Sequence, residues 1–298
     1  MKAPSQTISP AISTFSIVAL DQETGDLGVA TASKFLAVGS AVPFAEAGVG
    51  AVATQSYANT SYGPRTLGAL RLGLPLAQIH AAFEASDAQH SQRQYGLVDA
   101  EGTSLTFTGA DCHPWAGGRR GEGYAAQGNL LTGAEVIDRL VEAYGASREP
   151  LPERLLAALA AADEAGGDRR GRQSAAILVV RAAGGYGGFS DRYIDLRVDD
   201  HESPVPELKR LLSLQRLYFE RPQGENRLDI AGEVEERLLR VLEASGYLGP
   251  ARGWSDEAER ALRALAGVEN LEERMLEPGL VDRVVLDYLG AKYAKDRG

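Results

Sequence analysis

The stretch "STFSIVALDQETGDLGVATASKF", Ser13 to Phe35, decides how the rest of the chain is read. "TFSIVALD" is short and apolar-rich. "QETGD" is a polar turn with glycine, and "LGVATASKF" follows as a second apolar run. Two such runs around a short polar turn predict a β-hairpin from Thr14 to Phe35. A threonine stands at the head of the first strand. Either it is an ordinary β-branched strand residue, or it is a nucleophile released by cleavage after Ser13.

Working outward, "SAVPFAEAGVGAVATQS" predicts a further strand pair, its small residues suiting a buried sheet. "GPRTLGALRLG" and "PLAQIHAAFEAS" predict two helices, the second with Leu76, Ile79 and Phe83 at helical spacing. "QYGLVDAEGTSLTFTG" predicts a hairpin and "GYAAQGNLL" a strand. "GAEVIDRLVEAYGA" and "LPERLLAALAAADEAGG" predict helices; "SAAILVVRA" and "DRYIDLRVDD" predict strands. Helices arrive in blocks rather than one after each strand. That order favours antiparallel sheets covered by helix pairs over a doubly wound parallel sheet.

After "PVPELKRLLSLQRLYF" the character changes. "ERPQGENRLD", residues 220–229, predicts a linker, and 230–298 reads as three amphipathic helices with no strand, the second capped by Ser255. The expected organisation is an N-terminal extension over 1–13, a main domain over 14–219, the linker, and an all-α domain over 230–298.

With 298 residues and 44% hydrophobic content, the chain can bury a large core. Acids outnumber bases by 41 to 31, which argues against a nucleic-acid partner. The single cysteine, Cys112, permits no internal disulfide, and none of the four histidines sits in an HExxH frame. No metal and no cofactor are expected. The first 13 residues lack the apolar core of about 7–15 residues that a secretory leader needs. No run approaches the ~20 apolar residues of a membrane helix. A cytoplasmic protein without membrane contact is the expectation.

A threonine hydroxyl needs a base. Thr14 could use its own α-amine, with a reference pKa of about 7.7–8.0, if Thr14 were the first residue of the mature chain. Lys34, on the partner strand, is a candidate to depress that value by like-charge repulsion.

The run from Thr14 to Ser40, "YGPR" at 62–65, "GLVDAEG", "FTG", "WAG", "QGN", "GGDRRGRQSAA" and "DLRVDDH" together resemble the bacterial family labelled domain of unknown function 1028. The resemblance spans Thr14 to about Leu214. It implies an α+β fold, the αββα four-layer sandwich of the N-terminal-nucleophile (Ntn) hydrolases. It also implies hydrolysis of a small-molecule or peptide amide through an acyl-enzyme on Thr14. Ser33 and Lys34 are then the groups beside the nucleophile, and Asn129 an oxyanion donor. Asp168, Arg172 and Ser174 occupy a loop that is either catalytic or a salt-bridged corner. Gln55 and Asn59 are candidate substrate contacts. This sequence departs from the family in carrying 13 residues before the threonine. In the tail, "VEERLLRVLEASGYLG", "WSDEAERALRALAGVENLEERM" and "PGLVDRVVLDYL" together resemble the peptidoglycan-binding-like helical domain, which implies a peptidoglycan fragment as partner. The alternative for the tail is a packing or dimerisation module, which leaves a homo-oligomer open. The alternative for the whole chain is a non-catalytic scaffold on the same fold.

Overall fold

The computed structural model describes residues 14–222 and 224–294; the expected N-terminal extension, 1–13, lies outside the described residues. The opening hairpin forms as β1 (Thr14–Leu20) and β2 (Leu27–Ser33), paired antiparallel with Thr14 opposite Ser33. The strands β3 (Pro43–Glu46) and β4 (Gly50–Ser56) follow, then the helices α1 (Tyr62–Arg71) and α2 (Leu76–Ser86). Next come β5 (Arg93–Asp99), β6 (Ser104–Thr108), β7 (Gly117–Gly121) and β8 (Tyr124–Asn129). The helices α3 (Glu135–Ala146) and α4 (Leu151–Glu164), then β9 (Ser174–Val180) and β10 (Arg192–Val198), complete the first body. The expected blocks are all present. The sequence reading missed β7, whose glycine- and arginine-rich "GGRRG" carries no apolar alternation.

All ladders are antiparallel, as the block order predicts. One sheet has the order β10-β9-β2-β1-β8-β7 and the other β3-β4-β5-β6. Val18, Leu20, Leu27 and Val29 of the larger sheet share an apolar cluster with Ala51, Ala53 and Val98 of the smaller one. The smaller sheet turns Val52, Tyr95 and Leu97 to Tyr62, Leu67, Ile79 and Phe83 of α1 and α2. Tyr62 and Phe83 stack there with centroids 3.8 Å apart. The backbone of α1 comes close at Gly63, where a Cβ would stand 2.2 Å from the Phe44 ring. α3 and α4 pack on each other and on strands of the larger sheet. β1 and β2 are buried at all seven positions each, so their Thr and Ser residues lie inside with the apolar ones.

The chain divides into two compact units, the first ending at Arg210 and the second beginning at Leu211. The division falls within α5 (Pro204–Phe219), upstream of the polar stretch read as a linker. Leu214, Leu217 and Tyr218 of α5 belong to the apolar core of the second unit, so its helical pattern runs on without a mark at the division. The second unit holds α6 (Glu233–Ala244), α7 (Asp256–Val268) and α8 (Arg283–Tyr293). Ser255 caps α7, accepting from the Ala258 amide at 3.3 Å. The all-α expectation is corrected by a short ribbon: β11 (Arg227–Asp229) pairs with β12 (Leu280–Asp282). Three residues are too few to display a period of two. Arg274 holds this unit together from inside. It is 4% exposed, donates to the carbonyls of Arg216 (2.7 Å) and Leu217 (2.6 Å) at the end of α5, and pairs with buried Asp282 at 2.5 Å. A guanidinium at a helix C-terminus satisfies carbonyls that have no partner within the helix.

Candidate functional site

Strand register brings four separated segments to one row. Thr14 faces Ser33 on β2 and Asn129 on β8, and Ser33 faces Ser174 on β9. Directly opposed residues project to the same face of a sheet. Ser174, Ser33, Thr14 and Asn129 therefore stand side by side, all buried. The Thr14 hydroxyl is buried and has no hydrogen-bond partner among the described residues.

Two residues along β1, on the same face, Ser16 enters a network of amides between the sheets. Its Oγ donates to Gln55 Oε1 and accepts from Gln127 Nε2, each at 2.6 Å. Gln55 Nε2 donates to the Thr14 carbonyl at 3.1 Å and to Gln94 Oε1 at 2.8 Å. Gln94 Oε1 also accepts from Asn129 Nδ2 at 3.0 Å, while Gln94 Nε2 donates to the Gly128 carbonyl (2.7 Å) and Thr108 Oγ1 (2.9 Å). All five of these side chains are fully buried. A buried amide is costly unless its donors and acceptor are used, and those of Gln55, Gln94 and Gln127 are. At Gly96 a Cβ would stand 2.1 Å from Gln127 Oε1, so the network needs glycine there. The sequence reading singled out Gln55 and Asn129 but missed Ser16, Gln94 and Gln127. The available signal was a long polar residue recurring in strands otherwise buried throughout.

The remaining candidates are placed differently. The ammonium of Lys34 makes no hydrogen bond to the Thr14 hydroxyl. β2 ends at Ser33, and the exposed Lys34 donates through Nζ to the Arg172 carbonyl at 3.2 Å. Ser33 is the register partner of Thr14 instead. The Asp168 carboxylate accepts from the Lys34 amide (2.8 Å), the Arg170 amide (2.9 Å) and the Arg170 guanidinium. That is the salt-bridged corner, one of the two readings its sequence allowed. Arg172 pairs with Asp163 at 2.7 Å. Ser174 Oγ accepts from the Val38 amide at 3.1 Å and donates to the Phe35 carbonyl, anchoring the turn after β2. Between these groups lies a cleft of about 490 Å³, lined among others by Phe15, Ala32, Ser33, Asp168 and Arg172.

Asn59 stands apart from the row. It accepts from the Ser61 amide and hydroxyl at the start of α1, and donates to Asp87 at 3.2 Å. Burial works to raise the Asp87 carboxyl. Hydrogen bonds from Arg93, the Gln89 amide, Asn59 and Tyr62 overcome it and hold the pKa well below the usual carboxylate range. A carboxylate depressed on folding adds stability that is present above its unfolded pKa and is lost as pH falls through the folded value. Asp87→Asn should therefore flatten the acid limb of stability below about pH 4. Urea unfolding across that range checks it, and an unchanged acid limb overturns it.

Among the described residues no group of three or more His, Cys, Asp and Glu is placed to hold a metal, and no helix is long and apolar enough to cross a membrane. Residues 14–208 match the model described as a family of unknown function, DUF1028. Residues 218–289 match one described as "Putative peptidoglycan binding domain". The crystal structure of a DUF1028 protein from Silicibacter pomeroyi is 30% identical at a TM-score of 0.62, over 75% of this chain and 92% of that one. No curated protein matches the chain.

Proposed function

We propose, for a chain that belongs to the DUF1028 family of unknown function, that it hydrolyses an amide bond with Thr14 as N-terminal nucleophile. On this reading the two sheets and their helix pairs form the αββα four-layer arrangement of the Ntn hydrolases. The observation that carries it is the Thr14 hydroxyl, buried without a partner among the described residues at the head of β1. An unsatisfied buried hydroxyl costs stability and calls for an explanation, and a reactive role is one.

In the proposed reaction, hydrolysis of the Ser13–Thr14 bond first frees the Thr14 α-amine. The amine takes the proton from Oγ1, which attacks the substrate carbonyl. The tetrahedral oxyanion collapses, and the leaving amine departs with that proton. Water then attacks the ester on Thr14, releasing the acid and restoring the hydroxyl. Asn129, the register partner of Thr14, supplies an oxyanion donor, a role worth about 2.7–4 kcal/mol of barrier when well placed. Ser33 supplies the hydroxyl nearest in register. Gln55 holds the Thr14 carbonyl and takes no proton. Lys34 enters through its charge alone, and Asp168, Arg172 and Ser174 by shaping the adjoining loop.

Intact mass measurement of the protein from its native host, with and without an electrophilic β-lactone, tests this. The expected result is a chain beginning at Thr14 and an adduct on that residue. Active protein that keeps its first 13 residues sinks the proposal.

A second reading, a scaffold that keeps the fold without the reaction, is favoured by one observation: Thr14 is 0% exposed. It expects an intact 31.7 kDa chain and no adduct. The match over residues 218–289 supports a peptidoglycan fragment as partner of the second unit. It also weighs against the compartment expected from the composition of the first 13 residues.

A further inference from the structure

Five charged residues line the cleft beside Ser33: Asp163, Asp168, Arg169, Arg172 and Glu202. Two of the acids are satisfied locally, Asp163 by Arg172 and Asp168 by Arg170. The side chains of Arg169 and Glu202 have no partner among the described residues. One cation and one anion are thus left over on the wall of a single concavity. Arg169 sits on a loop fixed at several points: its own amide donates to the Leu130 carbonyl at 3.0 Å, and the Gly171 amide to the Asp168 carbonyl at 2.9 Å. Phe15 and Ala32 give the same cleft an apolar lining. Its volume of about 490 Å³ falls within the roughly 300–1,000 Å³ of small-ligand sites.

An unpaired surface charge is ordinarily just solvated. Here every other charge in the cleft is paired off, and the two that remain are of opposite sign beside an apolar lining. We infer that this cleft binds a small zwitterion, a free amino acid or a dipeptide. Its carboxylate lies on Arg169, its ammonium on Glu202, and its side chain against Phe15 and Ala32. A guanidinium can hold a carboxylate through two parallel hydrogen bonds, which sets orientation as well as affinity. The inference does not require Thr14 to be a nucleophile, so its failure and the failure of the hydrolase reading are separate results.

Titration calorimetry of the full chain with L-leucine, L-leucyl-glycine and N-acetyl-L-leucine tests it. At least one of the two free-ended ligands should bind, and the acetylated one at least about tenfold more weakly. Binding of leucine alone identifies a free amino acid; binding of the dipeptide identifies a dipeptide. Arg169→Ala should weaken the free-ended ligand by about tenfold or more, and Glu202→Gln should erase its advantage over the acetylated one. Both residues are exposed, so thermal melts of the variants should match the parent. The inference is overturned if neither free-ended ligand binds, if acetylation costs nothing, or if both variants bind like the parent.

Discussion

Thr14→Val should stabilise the folded chain by about 1 kcal/mol and abolish acylation at that position. Valine keeps the β-branch and nearly the volume of threonine. It removes a hydroxyl that has no partner among the described residues. An unsatisfied buried polar group costs about 1–3 kcal/mol, so its deletion returns part of that. For a chain of this size the gain corresponds to about 2–4 °C in Tm. The chemistry moves the other way. Without Oγ1 no ester forms, and turnover of any amide substrate should fall on the order of 10⁴-fold or more. Opposite movement of stability and activity is the mark of a strained or unsatisfied reactive group. Thr14→Ser, which keeps a hydroxyl, should retain acylation. Calorimetric melts read the first effect and β-lactone labelling the second. A valine variant that melts lower means the hydroxyl is bonded in the folded chain, and one that still turns over removes Thr14 from the mechanism.

The second large effect is structural. Gln94→Met keeps length and volume but deletes the polar end at the centre of the amide network. Gln55 Nε2 and Asn129 Nδ2 lose an acceptor, and the Gly128 carbonyl and Thr108 Oγ1 lose a donor. Gln55 Nε2 keeps the Thr14 carbonyl; with each lost hydrogen bond in this buried network costing about 1 kcal/mol, a loss of about 3 kcal/mol is expected. Gln22, exposed and bonded to Glu122 at 3.1 Å, serves as control. Gln22→Met should stay within about 0.5 kcal/mol. The double variant Gln55→Met, Gln94→Met should lose less than the sum of the singles, because the second change removes groups the first had orphaned. Urea denaturation of the parent and the four variants, the single Gln55→Met among them, measures all of this. Strict additivity, or a Gln94→Met cost no greater than the control's, means the network is not coupled.

Peptidoglycan recognition and amide hydrolysis are separate questions for this chain. The match to a peptidoglycan binding domain lies over 218–289, whereas the row at Thr14 belongs to the first unit. The zwitterion-binding cleft stands on a third set of residues, and each of the three can fail without the others.

By itself the sequence determined most of the elements, though not β7, whose "GGRRG" carries no apolar alternation. Paired apolar runs around "QETGD" and "DAEG" give hairpins, and capped amphipathic runs give helices, because both signals are local and repeat at the period of the backbone. The block order of strands and helices likewise determined antiparallel sheets. Thr14, Ser33, Asn129 and Ser174 were legible as candidates through the motifs around them. Their arrangement was decided by tertiary structure alone. Register between β1, β2, β8 and β9, buried on both faces, is set by what each face packs against, a property of the whole fold. It put Ser33 rather than Lys34 opposite Thr14. Gln94 and Gln127 gave only the weak signal of a long amide in an apolar strand, since a neutral amide there has meaning only once a second sheet delivers its partners. The ribbon of β11 and β12 and the division inside α5 were hidden for the same reason: contacts between distant residues, absent from any window of the sequence, fix where a short strand pairs and where one core ends.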